Sequence, residues 1–118
     1  MKKILVILFI LSIISSCSKS DVDPILSISN TITTNGLNFT PSVLNCSVGD
    51  TIFFELGSSH NAIEVSEADY IANSPTPLEN GFQFGFGASS FLIVDEAKTF
   101  YYVCAPHLPQ MKARIIAE

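Results

Sequence analysis

Residues 101–111 read YYVCAPHLPQM, a strand-like run followed by a short loop that contains two prolines. Phe100, Tyr102 and Cys104 alternate with their neighbours in the period-two pattern that is typical of a β-strand. This pattern places the thiol of Cys104 on the same face as two aromatic rings. We therefore predict a strand over residues 99–104 whose cysteine points into a core.

The loop that leaves this strand carries two further potential metal donors, His107 and Met111. Pro106 and Pro109 restrict the loop, because each fixes its own φ and lacks a backbone donor. The chain holds two histidines, and the other one, His60, lies in the segment SSHNAIEV. A stiff loop with three soft or borderline donors indicates a metal-binding loop.

A thiolate, two imidazoles and a more distant thioether are typical of a blue-copper electron-transfer centre, because the sulfur donors favour Cu(I) while imidazole accepts both oxidation states. Taken alone, His60 would be interpreted as a surface histidine and Cys104 as a core cysteine. The combination of both with a downstream histidine and methionine favours a metal site. The predicted ligands are His60, Cys104, His107 and Met111.

The amino-terminal segment predicts export. Two lysines precede an apolar run at residues 4–14, interrupted only by Ser12, which is too short to span a membrane and is typical of a signal peptide. Residues 14–17, ISSC, resemble a bacterial lipobox, in which the cysteine is lipidated and becomes the first residue of the mature chain. We predict a lipoprotein signal peptide at residues 1–16 and a lipidated tether at residues 17–24 beginning with Cys17. An ordinary secreted protein with a chance cysteine is the alternative.

Charge and length limit the possible functions. The chain has 118 residues, enough for one domain, with six basic and eleven acidic side chains. Loss of residues 1–16 removes two lysines, so the net charge becomes 4 − 11 = −7. Such a chain lacks the basic footprint of a nucleic-acid-binding protein. Its acidic surface suggests basic or neutral partners, or simply keeps a small exported protein soluble.

The remaining sequence predicts an all-β sandwich over residues 25–118, because about seven or eight short strands alternate with turn signals at roughly ten-residue spacing. A short helical turn is expected where Ser66 can cap and Asp69 takes the acidic position of a capping box. The alternating phenylalanines 82, 84 and 86 are expected to insert into the core from a thin strand. The strands are predicted at residues 25–29, 37–48 with an interruption at Pro41, 51–56, 61–65, 90–94, 99–104 and 112–117.

Cysteine pairing is a competing explanation for the metal site. In an oxidising compartment Cys46 and Cys104 could form a disulfide once Cys17 carries lipid, which would eliminate copper binding. However, Cys46 alternates with Leu44 and Val48 on one side of a strand-like run, as expected of a small buried apolar residue. We therefore expect both thiols to be free.

Residues 39–117 resemble the cupredoxin family, particularly plastocyanin, pseudoazurin and the phytocyanins. The segments VGDTIFF, HNAIEV and YYVCAPH with its following methionine occur in the family's order. The resemblance implies a Greek-key β-sandwich that binds one copper ion. His60, Cys104 and His107 would form a trigonal plane, with Met111 as a long axial ligand. Asn61 matches the residue that ties the two ligand loops together in the family.

These expectations together predict a blue-copper protein that carries one electron between redox partners. No catalysis is expected, because four protein ligands leave no open coordination position. The expected setting is a bacterial cell envelope, with the chain lipid-anchored at the periplasmic or cell-surface face and with redox partners such as a c-type cytochrome or a terminal reductase or oxidase. A monomer is expected. The alternatives are a Cu(I) carrier or chaperone and a hydrolase that uses Cys104 as nucleophile and His107 as base.

Overall fold

The computed structural model describes residues 30–118, so the signal peptide, the tether and the strand predicted at residues 25–29 lie outside the described residues. The described range contains nine strands, one short α-helix and one 3-10 turn. The strands are β1 (Thr31–Asn35), β2 (Asn38–Thr40), β3 (Val43–Cys46), β4 (Thr51–Glu55), β5 (Ala62–Val65), β6 (Gln83–Phe84), β7 (Ser89–Ile93), β8 (Thr99–Val103) and β9 (Lys112–Ala117). The helix α1 is Glu67–Ala72, and the 3-10 turn is Ala105–His107.

The strands form two sheets that enclose one apolar core. The first sheet has the order β2-β1-β4-β7 and the second the order β3-β9-β8-β5-β6. The β1–β4 and β3–β9 pairs are parallel, and the other pairs are antiparallel. The predicted all-β sandwich is therefore confirmed. The described residues hold more strands than predicted, because the run around Pro41 divides in two and Thr31–Asn35, where no strand was predicted, forms β1.

Pro41 marks the point at which the chain changes sheets. Strand β2 ends at Thr40 and pairs with β1, whereas β3 begins at Val43 and pairs with β9 in the opposite sheet. Proline cannot donate to a strand ladder, so it suits the crossing between the two sheets. The predicted interruption is confirmed, and the structure adds the change of sheet.

Helix α1 begins where the capping residues predicted it. The Ser66 hydroxyl oxygen accepts a hydrogen bond from the Asp69 amide at 3.0 Å, and the hydroxyl donates to the Asp69 carboxylate at 2.8 Å. The helix ends at Ala72, and the C-cap residue Asn73 has a left-handed φ of 56°. Its Tyr70 ring lies against the Tyr101 ring on the outer face of β8. Among the described residues, no helix has the length and apolarity needed to cross a bilayer.

Two predictions about the core were wrong in part. Phe82 and Phe84 pack against the core, but the Phe86 side chain is 61% exposed because β6 ends at Phe84 and the chain turns through Gly87. Leu44 is buried and Cys46 is half-buried against the core, whereas Val48 lies in the turn after β3 and is 47% exposed. In both places the strand is shorter than the alternation of apolar residues.

The Tyr102 hydroxyl is a polar group inside this core. The side chain is fully buried against Phe39, Phe54 and Phe82, and its hydroxyl has no hydrogen-bond partner among the described residues. Burial raises the pKa of Tyr102 far above its ordinary value, so the phenol stays neutral. An unpaired buried hydroxyl costs free energy relative to an apolar group of the same shape.

Replacement of Tyr102 by phenylalanine should therefore raise the free energy of unfolding by about 1 kcal/mol, measured by urea denaturation. Tyr101→Phe is the matched control, because the hydroxyl of Tyr101 lies near the Glu67 carboxylate and is not enclosed in the core. That control should be neutral or slightly destabilising. A clear loss of stability in Tyr102→Phe would contradict the prediction and would indicate a partner for the hydroxyl.

Candidate metal centre

Three potential ligands meet at one end of the sandwich. His60 lies in the turn between β4 and β5, Cys104 directly follows β8, and His107 closes the 3-10 turn after it. The turn that holds His60 is fixed by hydrogen bonds from the His60 amide to the Gly57 carbonyl and from the Gly87 amide to the His60 carbonyl, at 3.0 and 3.1 Å. The fold thereby brings His60 into contact with Cys104, which lies 44 positions later in the sequence.

The donor atoms of these residues form a tight triangle. The two Nδ1 atoms of His60 and His107 are 3.2 Å apart, and the Cys104 Sγ lies 3.3 Å from His107 Nδ1 and 3.8 Å from His60 Nδ1. Metal–nitrogen and metal–sulfur bonds of about 2.0 and 2.3 Å that diverge by roughly 100–130° would separate their donor atoms by about 3.1–3.9 Å. The triangle therefore has the size needed for all three atoms to share one ion.

Burial and hydrogen bonding have opposite effects on the pKa of the Cys104 thiol. The side chain is fully buried, and burial raises the pKa of the Cys104 thiol. The backbone amides of Asn61 and His107 donate to the sulfur, which favours the thiolate and partly opposes that rise in pKa. A metal ion would displace the proton, and these two amides would then stabilise the bound thiolate.

The loop from Cys104 to Met111 is closed on itself by backbone hydrogen bonds. The Cys104 carbonyl accepts from the His107 amide at 3.1 Å, and the His107 carbonyl accepts from the Met111 amide at 3.0 Å. The Cys104 amide in turn donates to the Met111 carbonyl at 3.0 Å. Met111 is fully buried in the same core cluster as Cys104. The loop thus holds all three of its potential ligands in one compact unit.

Comparison with known proteins identifies the family. Residues 26–118 match the family model of copper-binding proteins of the plastocyanin/azurin family. The chain belongs to this family of cupredoxins.

Individual relatives agree in fold. Halocyanin from Natronomonas pharaonis is 33% identical over 88 residues, which cover 71% of this chain, and the chain spans half of the length of that relative. An oxidized mutant of amicyanin superposes with a TM-score of 0.58 at 20% identity, over 76% of this chain and 82% of its own. Pseudoazurin from Methylobacterium extorquens AM1 has a TM-score of 0.57 at 20% identity, over 74% and 72% of the two chains.

Copper is therefore the cofactor of this cupredoxin, and the donor set fits it. A thiolate with two imidazoles suits copper in either oxidation state. The His60, Cys104 and His107 donor atoms all lie within 4.8 Å of one another, with His60 and Cys104 buried. Burial excludes water from competing for the ion. Cys46 and Cys104 are both free thiols, so the disulfide that would have removed this site does not form in the structure.

Asn61 joins the turn that holds His60 to the loop that follows Cys104. Its Oδ1 accepts a hydrogen bond from the Ala105 amide at 2.9 Å, and its own amide donates to the Cys104 sulfur. The residue is buried, with 9% of its surface exposed. Outer-shell contacts of this kind orient ligands and tune the metal. Asn61 therefore couples the position of the His60 turn to that of the cysteine.

Two residues that support His60 were missed by the sequence analysis. Gly57 leaves little room for a side chain, because a Cβ there would lie 3.0 Å from Thr34 Oγ1 and 3.2 Å from His60 Cδ2. The Gly57 amide donates to Thr34 Oγ1 at 2.8 Å, which anchors the turn to β1. The position of Gly57 three residues before a predicted ligand was a usable signal. No local pattern pointed to Thr34, because its contact with the turn is made only by the tertiary fold.

Proposed function

We propose that this cupredoxin is a type 1 blue-copper electron carrier tethered to a cell-envelope membrane. The observation that carries the proposal is the buried triangle of His60 Nδ1, Cys104 Sγ and His107 Nδ1. These atoms would form the trigonal plane around copper, and Met111 would supply the long axial thioether. Copper held there would alternate between Cu(I) and Cu(II) and so carry one electron per cycle.

The rigidity of the ligand loop supports electron transfer. A trigonal set suits both oxidation states, so little rearrangement of the side chains is needed when the electron arrives or leaves. The hydrogen bonds of the Cys104–Met111 loop and the Asn61 contact hold the ligands in place before the ion binds. Four protein donors leave no position open for a substrate, which supports a carrier over an enzyme.

The partner surface is proposed to surround His107. This histidine is half-buried, and the neighbouring Leu108 is also half-buried, while Pro106 and Pro109 are exposed. Phe86, in the loop that bonds to the His60 turn, adds a largely exposed ring. An apolar rim around an imidazole suits close approach of a second redox centre. A c-type cytochrome or a terminal reductase or oxidase of the envelope would be a suitable partner.

A Cu(I) carrier is the second candidate, and the axial position distinguishes it from an electron shuttle. In a shuttle, a long and weak Met111 bond adds little to copper affinity but adjusts the balance between the two oxidation states. Met111→Leu should then raise the reduction potential by on the order of tens of millivolts with copper retained, where 59 mV corresponds to a tenfold change in equilibrium. Met111→Gln, which introduces a harder donor, should lower the potential.

The measurement combines voltammetry with a competitive Cu(I) titration on the same variants. In a carrier, Met111 would be a principal Cu(I) ligand, and its removal would mainly reduce affinity. An affinity that collapses by orders of magnitude in Met111→Leu, with a potential that scarcely moves, would favour the carrier. The Leu and Gln variants are matched controls for each other, because they fill the same buried site with opposite donor character.

Membrane attachment is proposed through lipid on Cys17, from the lipobox-like residues 14–17. A diacylated and N-acylated terminus anchors stably, since more than one acyl chain is inserted. Cys17→Ala should therefore release the protein into the soluble fraction in detergent-free fractionation, with the copper absorption of the released protein unchanged. Membrane association that persists in Cys17→Ala would contradict lipidation.

A further inference from the structure

A second recess lies away from the metal centre, between the free edges of the two sheets. Strand β7 is the last strand of the first sheet, and β6, only two residues long, is the last strand of the second. A cleft of about 460 Å³ separates β7 from the loop before β6. Its apolar lining includes Leu78, Phe82 and Leu92, all half-buried, and the buried Phe100. Within residues 30–118, no strand closes the sandwich on this side.

The β7 edge lacks the features that usually discourage pairing with another chain. Natural edge strands are commonly protected by charged side chains, proline or bulges. Strand β7 is SSFLI, with no charge or proline, and its Phe91 and Ile93 side chains are 56% and 57% exposed. Phe53 lies opposite Phe91 on β4 and is 48% exposed, so an apolar strip runs beside the free edge.

The rim of the cleft is acidic. Inside the cleft, the buried Glu64 carboxylate is neutralised by Lys98 at 3.0 Å and accepts from the Phe82 amide at 3.0 Å. Lys98 is the single basic side chain among the described residues that line the cleft, and this ion pair uses its charge. Glu79, Asp95 and Glu96 remain at the rim, exposed and without an ion pair to any described residue. The cleft therefore combines an apolar floor with a surplus of negative charge.

We propose that this cleft and the β7 edge bind an extended segment of a partner protein in which basic and apolar side chains alternate. Its backbone would pair with the free edge of β7, as in β-strand addition. Successive side chains of a strand point to opposite faces, so the basic set would face the cleft, with its alkyl stems over Leu92 and Phe82 and its charges at the acidic rim. The apolar set would cover the exposed Phe91 and Ile93 side chains on the outer face. Charge complementarity favours a basic segment over a second copy of this acidic chain.

This site is distinct from the proposed electron-transfer surface. Phe100 precedes Cys104 by four residues of β8, or about 13 Å at 3.3 Å per residue. The cleft residues occupy the first half of β8 and the turn before it, whereas the metal ligands follow its end. The cleft would thus anchor a partner without covering His107. Binding there does not depend on the proposed redox role.

The test uses the full chain loaded with Cu(I) and three synthetic ten-residue peptides, with binding followed by NMR titration of the backbone amides. One peptide alternates lysine and valine, a second alternates glutamate and valine, and a third is the lysine peptide with alternate backbone nitrogens methylated. We expect the lysine peptide alone to bind, with chemical-shift changes in β7, residues 78–82 and residues 95–98.

Glu96→Lys should weaken binding of the lysine peptide about fivefold or more at low salt, whereas the control Glu118→Lys, with the same net charge, should change it less than about twofold.

Each contrary outcome overturns the proposal. Equal binding of the methylated peptide would show that no strand pairing takes place, and equal loss in both charge variants would show only a general electrostatic attraction. Shifts centred on His107 would assign the peptide to the metal end. Dimerisation of the chain through β7, detected by sedimentation, would assign the edge to a second copy.

Discussion

Cys104→Ser should abolish the intense visible absorption that the wild-type chain is expected to show with one Cu(II) bound. That absorption depends on the bond between copper and the thiolate, and a serine hydroxyl cannot replace the thiolate as a soft, anionic donor. The substitution is close to isosteric, so the buried site next to His60 and His107 should keep its shape. The measurement is a titration of the purified chain with Cu(II), followed by visible absorption and by the copper-to-protein ratio.

Cys46→Ser is the matched control for this experiment. Cys46 is also a free thiol, but it lies at the end of β3 rather than in the metal triangle. Its replacement should leave the colour unchanged. A wild-type chain that binds copper without colour, or colour that survives in Cys104→Ser, would contradict the type 1 assignment.

Copper binding should raise the stability of the domain by a large amount. The ligand triangle requires two segments, the turn that holds His60 and the loop that holds Cys104 and His107, to be folded together. An ion that binds only the folded state adds RT ln(1 + [L]/Kd), or about 4 kcal/mol at a thousandfold excess over Kd. For a domain of this size the melting temperature should rise by about 15–30 °C. Calorimetry of the metal-free and Cu(I)-loaded forms measures the change.

The Cys104→Ser variant provides the control, because it should show a much smaller rise with the same copper. Equal melting temperatures for the metal-free and copper-loaded wild type would contradict the prediction. If Cys46 and Cys104 then also resisted thiol reagents, a disulfide between them would become the better explanation, against the free thiols of the structure.

The sequence predicted correctly the features that depend on a residue and its near neighbours in the chain. The alternation of Phe100, Tyr102 and Cys104 placed these side chains on the core face, and all three are buried. The Ser66 cap and the interruption at Pro41 were likewise located, because each depends on the hydrogen-bonding capacity of one residue and its near neighbours. Strand ends were less predictable. Phe86 and Val48 continue an apolar alternation beyond the last ladder contact, and both are exposed.

The ligand types and their order could be identified from the sequence because copper chemistry selects the residues themselves, a thiolate with two imidazoles and a thioether. The tertiary structure decided which of these residues meet. It brings His60 to the Cys104 loop and the Ala105 amide to Asn61 Oδ1. It also places Gly57 and Thr34 where they support His60. Three of the contacts are long-range: they join Thr34 to Gly57, His60 to Cys104 and Asn61 to Ala105, which are 23, 44 and 44 positions apart. The open cleft beside β7 was likewise decided by the tertiary structure. Local patterns specify which residues form strands and what chemistry they carry, whereas the pairing of distant strands determines which turns meet and which edges remain free.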